Sequence, residues 1–216
     1  MAFNTAQLDK LAAAYQDALR RIAVGHELAV EQTWMRAGLD DFAAAITDRT
    51  TASRQAAARL AASFFDTYVA AAGGAAPDGD LDLDAAIARI RGGADLDAVY
   101  GEPIERARAL AADNDLTAAL SETAPQVGEI ADQDISLAAR AGTTAANERH
   151  DITTFRRRPD PQACSYCTDA ATRTYHRADL RPLHGHCHCI VIPDHTAITT
   201  SGPKRTAHRA AVSLAI

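Results

Sequence analysis

All four cysteines of this 216-residue chain fall within residues 164–189, and the 163 residues before them contain none. Cys164-Ser165-Tyr166-Cys167 is followed by His184-Gly185-His186-Cys187-His188-Cys189. A C-x-x-C pair, then H-x-x-C-x-C about twenty residues on, is the spacing of a tetrahedral zinc site. Thiolates and imidazoles are the donors that zinc prefers, and two short clusters on turns can wrap one ion. The competing reading is two disulfides. No secretory signal opens the chain, and a chain of this length needs no disulfide staple, so reduced thiols in a reducing interior are expected.

Five residues compete for four metal positions: Cys164, Cys167, His184, Cys187 and Cys189. Cys164 and Cys167 are common to every arrangement. Cys187 replaces His184 in an all-thiolate set. Four protein ligands leave no position for water, so the expected ion is structural zinc, one per chain, contributing to folding and not to catalysis. His176, His186 and His188 lie beside the metal turns and supply the rival reading, a metal-dependent nuclease or another DNA-processing protein. Alternation with inward-facing cysteines would turn His186 and His188 toward solvent.

The rest of the chain is different material. Hydrophobic residues make up 47% of the sequence but aromatics only 5%, and alanine supplies much of the difference. Alanine is the best helix former and the smallest apolar core residue, which favours long, closely packed helices. Charge divides along the same line. Residues 151–216 carry nine Lys/Arg against five Asp/Glu, leaving 13 basic and 23 acidic residues before them. The acidic part should repel nucleic acid, and the basic part could approach it. No apolar run reaches the roughly eighteen residues of a membrane span.

Asn4 with Gln7 reads as a capping box, and Leu8, Leu11, Tyr15, Leu19 and Ile22 then recur at helical spacing. Leu8, Leu11, Leu19 and Ile22 are expected to face other helices, of this chain or of a partner. The helix runs on to Trp34, with Gly25 as a candidate kink and Gly38 as its end. A second helix starts at Asp40 or Asp41 and stops at Gly73-Gly74, with a break expected in the polar, β-branched stretch 47–54. Residues 75–84 are an acidic linker whose aspartates cap a helix over 85–91. They do not make a calcium loop, because the required glycine and glutamate positions hold Leu83 and Arg89. Pro103 reads as the first residue of a further helix, and two more are expected over 116–123 and 130–147. His26 and His150 read as surface or capping residues.

From residue 151 the pattern turns to a small α+β unit. It has a β-prone start at 152–155, a basic turn at Arg156, Arg157 and Arg158, a short helix over 168–173, and a strand at 189–192 closed by Pro193. The expected class is therefore mainly α with a small C-terminal zinc-stapled α+β domain. Its divisions are an alanine-rich helical region (1–150), the knuckle domain (151–195) and a basic tail (196–216). The two main regions are expected to share few core residues.

The C-terminal pattern resembles the Mu F-like minor head protein family of tailed bacteriophages. The carrying residues are Cys164-Ser165-Tyr166-Cys167 and His184-Gly185-His186-Cys187-His188-Cys189, running into Ile190-Val191-Ile192-Pro193; upstream, Ala61-Ala62-Ser63-Phe64-Phe65 before a Gly turn is also similar to that family. The resemblance implies a minor capsid component of the virion, made in the host cytoplasm and involved in head morphogenesis. It would sit at the portal vertex or capsid interior, in contact with the portal protein or major capsid protein. Packaged DNA is a further partner, through Arg156, Arg157 and Arg158, and no membrane is implied. Relatives that act as proteases carry a protease domain, for which this chain has no room. It holds no G-x-S-x-G and no H-E-x-x-H, so no enzyme is expected.

Overall fold

The computed structural model describes residues 4–150, 152–176 and 188–200. The chain is mainly helical, with a small three-stranded sheet near its C-terminal end. Helix α1 spans Thr5–Trp34, α2 Phe42–Ala71, α3 Leu83–Ala88, α4 Leu96–Asp113 and α5 Leu116–His150. After them come β1 (Thr154–Arg158), α6 (Ser165–Ala171), β2 (Thr174–His176), β3 (Ile190–Pro193) and α7 (His195–Thr200). Among the described residues no helix is long and apolar enough to cross a membrane.

Local chemistry explains the starts. Asn4 Oδ1 accepts from the Gln7 amide at 3.0 Å while Gln7 Oε1 accepts from the Asn4 amide at 3.0 Å, the expected capping box. Asp82 caps α3 and Asp95 caps α4 in the same way, at 2.9 and 2.8 Å. Because Asp95 starts α4 a full two turns earlier, Pro103 lies inside that helix and not at its first position.

Two expected breaks are absent. Through 47–54 helix α2 is continuous. The Thr47 hydroxyl donates to the Ala43 carbonyl at 2.8 Å, Thr50 is buried, and Arg54 reaches a carboxylate on α5. Thr47 and the Arg54 guanidinium thus find partners without leaving helical geometry. Likewise 116–123 and 130–147 are one helix, although Pro125 lies inside it. A mid-helix proline disturbs the turn before it. The carbonyl that Pro125 leaves without a helical donor is that of Ser121, an exposed residue, and on either side of it Leu120 and Val127 pack into one cluster with Val30 and Trp34 of α1.

Helices α1, α2 and α5 form the body of the molecule, with α4 along one end. Alanines 57, 58, 61, 62, 138, 139 and 146 are buried between them, so helix axes approach closely. Larger groups fill the ends. Tyr15 stacks on Phe64 with ring centroids 4.2 Å apart, and Trp34, Phe42 and Tyr100 pack edge to face at 4.8 and 5.3 Å. Leu8 is buried and Leu11 and Leu19 pack against the same cluster, with Ile22 at the next. That stripe is therefore covered by this chain's own helices.

The sheet has the order β2-β1-β3, with both pairs antiparallel; Phe155 lies opposite Tyr175 on one side and Pro193 on the other. The expected separation of two cores is corrected. Ile152, Phe155, Ile190, Val191 and Ile198 belong to one cluster with Phe64, Phe65 and Tyr68. Asn147 Oδ1 accepts from the Ile152 amide at 3.1 Å, and Arg149 and His150 both meet Asp66 of α2, at 2.5 and 2.8 Å. The sheet consequently closes one end of the bundle.

His26 is also corrected. It is 1% exposed, with neither ring nitrogen hydrogen-bonded among the described residues, and the His150 side chain is only 3% exposed. Burial holds the His26 pKa down to about 4; Asp134 opposes this, and Arg54 and Arg49 reinforce it. Above pH ~6.5 the ring is neutral in both folded and unfolded chains. As pH falls from there toward 4 the unfolded state takes up a proton that the fold refuses, so stability declines by up to about 3 kcal/mol. Urea midpoints at pH 7.5 and 4.5 should show this fall, and His26→Leu should remove that part of it. An equal fall in the variant would refute the assignment.

Candidate metal centre

Three of the five sequence-derived ligands lie among the described residues, and the fold brings them to one cleft. Strand β1 delivers the chain to a turn built on Asp160, whose Oδ1 accepts from the Gln162 amide at 2.9 Å and whose carbonyl accepts from the Ala163 amide at 2.9 Å. That turn places Cys164 at the N-cap of α6, where its carbonyl accepts from the Thr168 amide at 3.0 Å. Cys167 follows in the first turn, so the two sulfurs sit three apart on one helix face. The helix starts at Ser165, three residues earlier than the sequence suggests, which brings Cys167 inside it.

Cys189 precedes β3. It is buried, as is Cys167, and the two pack together against Ala163, while Cys164 is exposed. Arg20, Val24 and Glu27 of α1 and Asp132 of α5 complete the cleft, with His188. His184, Cys187 and the neighbouring His186 lie outside the described residues. Among the described residues no three side chains converge closely enough to hold an ion alone. The donors fit zinc in kind: three sulfurs on one cleft, with the remaining candidates on the segment that leads into Cys189.

His188 is not simply turned to solvent. Its Nε2 lies 3.6 Å from Asp132 Oδ2, and its carbonyl accepts from Gln16 Nε2 at 3.4 Å. His176 is exposed on β2, opposite Thr154. The basic triplet is corrected from a solvated turn to strand β1. Arg157 is buried, with its guanidinium 4.9 Å from the Tyr175 ring centroid. Arg156 faces Asp194 at 3.4 Å and Arg158 faces Asp9 at 3.3 Å. Burial opposes ionisation of Asp194, but hydrogen bonds from Thr196 and the nearby Arg156 outweigh it and hold its pKa below the usual range.

Sequence reasoning missed the helical half of this cleft. Arg20 of α1 forms an ion pair with Asp160, and Asp132 belongs to α5. Neither carries a local motif, since each partner is distant in sequence.

No curated protein and no solved structure matches the chain. A family model described as VG15 protein matches residues 2–210. With nearly its whole length matched, the chain belongs to the VG15 protein family, a viral gene family consistent with a phage protein.

Proposed function

We propose that this chain is a minor capsid, or head morphogenesis, protein of a tailed phage. In this reading it is a structural virion component without catalysis of its own, associated with the portal or the inner capsid surface. Membership of a viral gene family over residues 2–210 carries the reading, and the Mu F-like pattern of the cysteine turns supports the finer assignment. Cys164, Cys167 and Cys189, with His184 or Cys187, would hold a structural zinc ion, whose binding contributes folding free energy.

With Leu8, Leu11 and Leu19 packed inside the fold, other apolar groups must meet the portal. Val24 and Leu28, one turn apart on α1, are 46% and 51% exposed, and Met35 follows along the helix. Contact with packaged DNA would fall to Arg156 and Arg158, because Arg157 is buried. Co-expression with the portal protein of the same phage and affinity capture tests the assignment. The wild type should be captured, and Leu28→Glu combined with Met35→Glu, both away from the cysteine cleft, should lose capture at unchanged helix content. Undiminished capture would move docking to the outer face of β1, and no capture of the wild type would argue against portal association.

The approach of His188 to Asp132 is the one observation favouring a DNA-processing reading, since a carboxylate can orient a histidine base. Incubation of the pure protein with plasmid DNA and magnesium or manganese should leave the DNA intact. Cleavage that disappears in His188→Ala would replace the structural reading with the enzymatic one.

A further inference from the structure

We infer that the metal site is not built by the cysteine motif alone: Asp160 and Asp132, acting through Arg20 and His188, are positioning residues that set its affinity. This rests on the zinc reading above. The sulfurs stand on short pieces, a seven-residue helix and the residue before a four-residue strand. Elements that small do not fix their own place. Each is instead tied to the bundle by a separate polar contact.

Residues four apart on a helix share a face, and one face of α1 reaches both pieces. Arg20 pairs with Asp160, which is 8% exposed and shapes the turn into Cys164. Gln16, one turn earlier, donates to the carbonyl of His188, immediately before Cys189. From the other side Asp132 of α5, 5% exposed, faces the His188 ring. Burying a carboxylate beside a cysteine cleft is costly unless it is paired; the pairing of Asp160 with Arg20 holds one sulfur-bearing segment against α1, and the 3.6 Å approach of His188 to Asp132 brings the other beside α5. Ordering donors before the ion arrives lowers the cost of binding it. Contacts of this outer kind typically change metal affinity by about 10–100-fold.

The test uses full-length protein, with zinc affinity read by chelator competition and cobalt(II) absorption reporting thiolate coordination. Asp160→Asn and Asp132→Asn should each bind zinc at least about tenfold more weakly, with helix content unchanged. Arg20→Met, which leaves the Asp160 acceptor for the Gln162 amide in place, should weaken zinc binding as Asp160→Asn does, which a role of Asp160 confined to its own turn would not produce. Asp134→Asn, which weakens the bundle away from the cleft, should bind zinc as the wild type does. It also serves as the control if the other variants are less stable. If Asp160→Asn and Asp132→Asn both bind zinc like the wild type, the positioning role is wrong while the metal site stands. If the variants lose affinity only in proportion to stability, as Asp134→Asn would then also do, it is wrong as well. If the wild type itself binds neither zinc nor cobalt, both readings fall.

Discussion

Replacing Asp134 by alanine is expected to lower the unfolding free energy by about 3 kcal/mol or more, the range found when one partner of a buried ion pair is removed. Asp134 is fully buried on α5 and accepts from Arg54 Nη2 of α2 at 2.8 Å and from Arg91 Nε at 2.7 Å. Neither arginine can escape to water without moving its element, since their side chains are only 14% and 23% exposed. Arg91 also donates to the Ile130 carbonyl at 3.2 Å from a left-handed backbone conformation, φ 53°. Such a conformation costs on the order of 1 kcal/mol for a residue with a Cβ, and the ion pair is what offsets it. Asp134→Asn keeps the shape and one hydrogen-bond acceptor, so a smaller loss is expected. Urea unfolding of both variants against wild type checks the order. A change below about 1 kcal/mol in the alanine variant would place this pair with surface ion pairs, which contribute little.

Gly142→Val should be at least as damaging. A Cβ at position 142 would stand 2.8 Å from both the carbonyl carbon and the Cα of Ala58, and closer still to its oxygen. Those are backbone atoms of α2, so no rotamer change relieves the clash, and α2 and α5 must separate along their contact. Overpacking of flexible surroundings costs about 1–3 kcal/mol, and a backbone obstacle puts this site at or beyond the upper end. Gly128 provides the internal comparison. Its Cβ would meet the carboxylate ends of Glu31 and Glu27, which can swing aside. There Gly128→Ala should be neutral or stabilising, by up to about 1 kcal/mol from helix propensity. Thermal unfolding of the two variants side by side separates helix contact from propensity. A Gly142→Val variant as stable as Gly128→Ala would mean that α2 and α5 do not pack as described.

What was legible in the sequence is what short-range chemistry decides. The box of Asn4 and Gln7, the stop at Gly73 and Gly74, and the β-branched run closed by Pro193 all act within a few residues. What was not legible depends on partners far along the chain. The polar stretch of α2 reads as a break until Arg54 is seen to meet Asp134, eighty residues on. The helix through Pro125 reads as two until Leu120 and Val127, on either side of the proline, are found in one cluster with Val30 and Trp34 of α1. His26 looks like a surface histidine beside the charged Glu27, yet it is buried, with charges of α2 and α5 close enough to act on it. The cysteine cleft divides in the same way. Its sulfurs announce themselves by spacing, whereas Arg20, Asp132 and Asp160 are ordinary charges until the fold brings them together.

The central claim, a structural component of the phage head, is tested most directly on intact particles of the phage that encodes this chain. Particles purified through a density gradient and treated with protease to strip loosely bound protein would be digested and quantified by mass spectrometry. Peptides from both the helical region and the segment around Cys164 and Cys167 should be present, at a few copies per particle relative to the major capsid protein. Their absence from particles that contain portal and major capsid protein, with the chain abundant in the infected lysate, would contradict a place in the virion.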